Sequence, residues 1–142
     1  MCLPLYALKE KEELAWKDFN SGYAYALKKK KILLIDVYTD WCGWCKVMDR
    51  ETYAKKEIYD AINADFVAVK FNPEKRDVMY TYKDSTYNGM QLMAIIGQNR
   101  INGYPATLFI NPVTNQTALH MGYINPQQFN QILAEVKKTL KN

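Results

Sequence analysis

Two segments of the chain are apolar without alternation. Ile32 to Tyr38 reads I-L-L-I-D-V-Y, broken once by Asp36, and Phe66 to Phe71 reads F-V-A-V-K-F. A run with no polar alternate is the pattern of a strand covered on both faces. Between them, Trp44–Thr52 and Glu57–Asn63 carry helical spacing with a bend in between, and Thr39–Gly43 forms a loop. Strand, helix and strand in that order predict a right-handed crossover and a parallel pair. Upstream, Leu14–Phe19 is ambiguous between strand and helix. Asn20 and Ser21 are good N-cap types, and Tyr23, Ala24, Ala26 and Leu27 then give a helix that ends in the run Lys28–Lys31. Downstream, Val78–Tyr82 and Thr86–Asn88 flank Lys83-Asp84-Ser85, the pattern of a small hairpin. Gly89–Gly97 is helical by composition. Ala106–Ile110 and Thr117–Gly122 are two further strands joined by turn residues. Asn125 caps a last helix that starts at Pro126 and runs to Leu140. The order predicts an α/β domain, a mixed sheet with helices on both faces.

Composition adds bounds. A chain of 142 residues fits one domain, and 49% hydrophobic with 24% charged is enough apolar content for a packed core. The expected division is a tail over residues 1–13 and one domain over 14–142. Net charge is only +4, and the lysine run suits the negative end of a helix dipole, so nucleic acid is not an expected partner. No apolar stretch is long enough to span a bilayer. Met1–Ala7 (M-C-L-P-L-Y-A) followed by the charged Lys9–Glu13 resembles the tail of a secretory signal peptide. That pattern predicts an exported, periplasmic protein, with a short tail on a cytoplasmic protein as the alternative. A monomer is expected.

The chemistry lies in Trp41-Cys42-Gly43-Trp44-Cys45-Lys46. Two cysteines separated by two residues at a helix start can close a disulfide within one turn. Cys42, at the N-terminal end, meets unpaired N–H groups and the positive dipole end, which favour a thiolate, the attacking species in thiol exchange. Cys45, one turn inside, is expected to be the more buried and to suit a resolving role. The third cysteine, Cys2, stands apart as an incidental residue or a lipid-attachment site; an odd count argues against a purely structural framework. Zinc would need two more ligands, and only Cys2 and His120 are on offer, without ligand-like spacing. A purely structural disulfide fits poorly between a buried strand and a helix. A Cys–His hydrolase would need His120, the only histidine, which falls on a distant strand.

The segment Ile35–Lys46 (I-D-V-Y-T-D-W-C-G-W-C-K) resembles the active-site segment of the thioredoxin superfamily. Gly103-Tyr104-Pro105-Ala106-Thr107 resembles its cis-proline loop, and Gly122 the glycine of its last strand. The resemblance spans about Leu14 to Leu140. It implies a thioredoxin-like fold with an insert before the cis-proline loop, Cys42 as nucleophile and Cys45 as resolving thiol. It further implies Asp36 as the buried carboxylate beneath them and Lys70 as its neighbour. A charge inside an apolar strand is costly unless paired or used, and a buried carboxyl should have a raised pKa and accept a proton from Cys45. Pro105 would be cis and would present the Tyr104 backbone to an extended substrate. Trp41, Gly43 and Trp44 would complete the substrate surface. The intervening dipeptide is Gly-Trp, not the Gly-Pro of thioredoxin or the Gly-His of protein disulfide isomerase. The insert between Asn72 and Pro105 resembles exported thioredoxin-like or disulfide isomerase-like proteins, and the C-terminal domain of DsbD is a further relative; a surface decoration is expected, a wall of the substrate groove being the alternative. The implied activity is thiol–disulfide exchange with protein substrates, as reductase or isomerase, without a bound cofactor or metal, together with an unidentified redox partner. A weakly active binding module, or a thiol protein of metal or haem assembly, are the alternatives.

Overall fold

The computed structural model describes residues 12–141. The expectations for the signal-like Met1–Ala7 segment and for Cys2 lie outside the described residues. The two apolar runs form β1 (Ile32–Val37) and β2 (Phe66–Phe71), paired in parallel with Ile32 opposite Phe66. β5 (Ala106–Ile110) lies antiparallel on the other side of β1, and β6 (Thr117–Met121) antiparallel to β5, giving the sheet order β2-β1-β5-β6. The chain before the first helix adds one parallel bridge, Lys17 to Val69, at the β2 edge. The helices are α1 (Phe19–Lys29), α2 (Gly43–Met48), α3 (Lys56–Asp65), α4 (Gly89–Ile96) and α5 (Pro126–Thr139). This is the thioredoxin-like α/β architecture, a mixed sheet with helices on both faces.

Side-chain alternation splits the core in two. Leu34 and Phe109 face Met48, Tyr53, Ile62 and Phe129, so α2, α3 and α5 cover one face. Leu33, Ile35, Val37 and Leu108 face Phe19, Ala26, Leu92 and Ile96, so α1 and α4 cover the other. α1 approaches β2 so closely that a Cβ on Gly22 would collide with the Val69 side chain.

Several boundaries differ from expectation for physical reasons. The N-cap of α1 is Asp18, not Asn20 or Ser21: its carboxylate accepts from Ser21 N at 2.8 Å, which brings Phe19 into the helix and the core. The helix after the cysteines is not uniform to Thr52. It changes after Met48 to a π turn, Asp49–Tyr53, closed by Ala54 N donating to Asp49 O. The hairpin pairs β3 (Tyr80–Tyr82) with β4 (Ser85–Tyr87), so Ser85 is in the strand and the turn is only Lys83-Asp84, both at positive φ. β6 ends one residue before Gly122, whose φ of 84° needs a glycine.

The insert is more than a decoration. Tyr80 meets Phe19 and Phe71 edge-on, and Leu92 and Ile96 are buried on the α1 face. Asn88 caps α4 reciprocally with Gln91, and Gly89 lies against the Pro73 backbone where any side chain would collide. The insert therefore closes the second face of the sheet. No helix among the described residues is long and apolar enough to cross a membrane.

Candidate functional site

Strand β1 delivers the cysteines. After Val37 the chain leaves the sheet, Tyr38 N still donating to Phe71 O, and turns through Thr39–Trp41. Cys42 is the N-cap of α2: its sulfur accepts from Cys45 N at 3.1 Å. The pair is joined as a disulfide with Cα atoms 5.3 Å apart. Both cysteines are buried, Cys42 4% and Cys45 3% exposed, so the two differ in burial by far less than their places on the helix suggest. Closure of the ring draws both sulfurs onto the helix start.

Below them the sheet carries a polar row. In-register pairing sets Lys70, Asp36 and Thr107 side by side across β2, β1 and β5, with His120 next on β6. Asp36 follows Leu34 by two residues and shares its side of the strand, so its side chain lies on the face covered by α2 and the π turn. It is 2% exposed, and burial pushes its carboxyl up to about 6 in spite of the adjacent ammonium. Lys70 Nζ donates to Asp36 Oδ2 and to Asp49 Oδ1, both at 2.6 Å. The rings of Tyr38 and Trp16 lie 4.7 and 4.9 Å from the same nitrogen, with Tyr53 at 5.9 Å. The two carboxylates hold the Lys70 ammonium charged against the opposing effect of burial. Burial also pushes the Tyr53 phenol well up. A cleft of about 460 Å³, lined by Glu13, Trp16, Asp49, Tyr53 and Lys70, opens this cluster to solvent.

Around the disulfide the surface is aromatic. Trp41 and Trp44 are 69% and 62% exposed. Trp41 Nε1 donates to Glu74 Oε1 at 2.9 Å, and its ring meets Tyr104 edge-on at 5.8 Å. Trp44 leans on Tyr123, centroids 5.5 Å apart, and the Tyr123 hydroxyl donates to Glu51 Oε1 at 2.9 Å. The Tyr104–Pro105 peptide bond is cis. Pro105 O accepts from Gly122 N at 2.8 Å, and Tyr104 OH reaches Met93 Sδ of α4 at 3.7 Å. A Cβ on Gly43 or Gly103 would meet nothing within 4 Å.

Two motifs 60 residues apart in sequence thus meet in one surface, held by residues that the sequence reading passed over. Asp49 had a signal: it stands four residues after Cys45, on the same helical face. Glu74, Met93 and Tyr123 had none, because each acts across a long loop.

A sequence profile of the family Thioredox_DsbH, described as "Protein of unknown function, DUF255", matches residues 4–142. The chain belongs to that family. It is similar to the Thiol:disulfide interchange protein DsbD of Yersinia enterocolitica, 24% identical over 117 residues, covering 81% of this chain and 18% of that protein. It is also similar to human Spermatogenesis-associated protein 20, 29% identical over 97 residues, covering 66% and 11%. The chain therefore spans less than a fifth of these curated relatives. Among solved structures, "DsbH Oxidoreductase" superposes with a TM-score of 0.60 at 17% identity, covering 94% of this chain and 92% of that one. That likeness concerns the fold, and it agrees with the thioredoxin-like architecture built from the strands and helices above.

Proposed function

We propose that this family member is a thiol–disulfide oxidoreductase that exchanges disulfides with protein substrates through Cys42 and Cys45. The observation that carries the reading is the Cys42–Cys45 disulfide at a helix start, on the sheet face that also holds a buried, weakly acidic Asp36. In the reducing direction the Cys42 thiolate attacks one sulfur of a substrate disulfide. A mixed disulfide forms, and the other substrate sulfur leaves as a thiolate that takes up a proton. Cys45 passes its proton to the Asp36 carboxylate and attacks Cys42 Sγ. The second substrate thiol departs, two electrons have moved to the substrate, and the pair is left as a disulfide. Lys70 steadies the Asp36 charge, and Asp49 and the adjacent cleft give that proton a way out. Trp41, Gly43, Trp44, Tyr104 and Pro105 form the surface that receives the substrate, with the Tyr104 backbone offering strand-type pairing.

We propose further that it acts outside the cytosol, in keeping with the signal-like pattern of Met1–Ala7, and that it works as a monomer with a separate redox partner that resets the pair. Fractionation of the natural host tests the location: recovery in the cytosol overturns it. The exchange itself is tested by thiol trapping in defined redox buffers. The expected result is one two-electron couple that also reduces or reshuffles a protein disulfide, with turnover abolished by Cys42→Ser. A potential near −270 mV would make the chain a reductant, and one near −180 mV an oxidant or isomerase. A pair that never equilibrates with glutathione or dithiothreitol overturns the reading.

A further inference from the structure

The turn between the cysteines lacks the proline that would stiffen it. Gly43 contributes no side chain, and Trp44, at the second helical position, does not fix φ as a proline would. Yet the Trp44 indole, exposed as it is, does not stand alone. It rests on Tyr123, and Tyr123 rests on fixed supports. Its hydroxyl is held by Glu51 in the π turn. The residue before it, Gly122, donates from its backbone to Pro105 O. The residue after it, Ile124, is buried, and its carbonyl accepts from the buried Thr52 hydroxyl at 2.6 Å. One short segment therefore joins the Tyr104–Pro105 loop, the π turn and the dipeptide between the cysteines.

We infer that Tyr123 is a positioning residue that sets the redox potential of the Cys42–Cys45 couple by clamping Trp44. This rests on the proposed exchange activity and deepens it. The physical argument concerns the reduced state. Closing the ring demands that both sulfurs share one turn of helix. A loose Gly-Trp turn would spread the reduced cysteines over many arrangements and lose that freedom on closure. A turn already held by Tyr123 has little to lose, so the disulfide forms more readily. The brace does the work that a proline does elsewhere through its fixed φ.

The equilibrium to measure is protein dithiol plus glutathione disulfide giving protein disulfide plus two glutathione thiols. It is read in the full chain with Cys2 replaced by serine. Tyr123→Ala should lower the equilibrium constant about tenfold, which raises the potential by about 30 mV. Tyr123→Phe keeps the ring and loses the Glu51 anchor, so it should shift in the same direction by less. The second arm is Trp44→Pro, which removes the clamped side chain and supplies its own rigidity at an early helical position that tolerates proline. In that background Tyr123→Ala should leave the constant unchanged, a coupling that a merely structural loss would not produce. Should Tyr123→Ala not fold, Glu51→Ala, which removes the acceptor of the Tyr123 hydroxyl, and Tyr123→Phe carry the same comparison. No shift in the wild-type background, or an equal shift in both, overturns the inference. A wild-type pair that does not exchange at all fails the activity instead, so the two failures are distinguishable.

Discussion

The two faces of the central sheet are built to different rules. On the α1/α4 face every inward residue of β1 is apolar: Leu33, Ile35 and Val37 meet Phe19, Leu92 and Ile96. On the opposite face the same strand places Asp36 two residues after Leu34, beside Lys70 and Thr107. The first face places no polar side chain of β1 inside the protein. The second gives up stability at one point, because a buried carboxyl raised to about 6 is held there against its preference for water. The difference separates what makes the fold from what makes the chemistry, and it can be broken from either side.

The largest effect on stability should come from the apolar face. Leu108→Ala removes a fully buried side chain and should cost roughly 2–5 kcal/mol in denaturant unfolding, while the redox potential stays put. A potential that moves with it would mean that the faces are coupled. Asp36→Asn should act in the opposite sense. The folded carboxyl has a pKa raised from 3.8 to about 6, so the wild type keeps full stability below about 4 and loses it as pH rises through 6. The variant should be more stable at pH 8 by on the order of 3 kcal/mol and equal to the wild type near pH 4. Its resolving step should slow on the order of a hundredfold, the scale of a lost general base. Paired unfolding curves and single-turnover kinetics check both halves; unchanged stability at pH 8 would refute the account of burial. The smallest effect belongs to the exposed rim. Glu74→Ala frees the Trp41 indole at a cost of about 1 kcal/mol or less. It should change tryptophan fluorescence and weaken substrate binding slightly, with the turnover of a small disulfide unaffected.

Much of this was legible in the chain. β1 and β2 needed no tertiary information, because unbroken β-branched runs have few other homes. Asp36 and Lys70 stood out as the single charges of their respective runs, and the cysteine spacing fixed its own turn. What escaped was relational. Asp18, Asn20 and Ser21 are all cap types within four residues, and only the burial of Phe19 chooses between them. The insert reads as loosely apolar, and its service to the core depends on Phe19 and Phe71 being there to receive Tyr80. Tyr123 meets Glu51 across 72 residues of sequence, a separation at which no local period can speak.

The π turn has a consequence for chain length. Its bond from Ala54 N to Asp49 O spans one residue more than a regular helix allows. Deleting a single residue after Asp49 and before Ala54 would let the helix close normally. Everything beyond the deletion would turn by about 100° relative to the cysteines. Either Asp49 would keep its ion pair and α3 would leave the sheet, or α3 would stay and Asp49 would swing away from Lys70. The extra residue thus acts as a phase shifter between two rigid bodies, letting one helix answer to the dithiol and the next to the core.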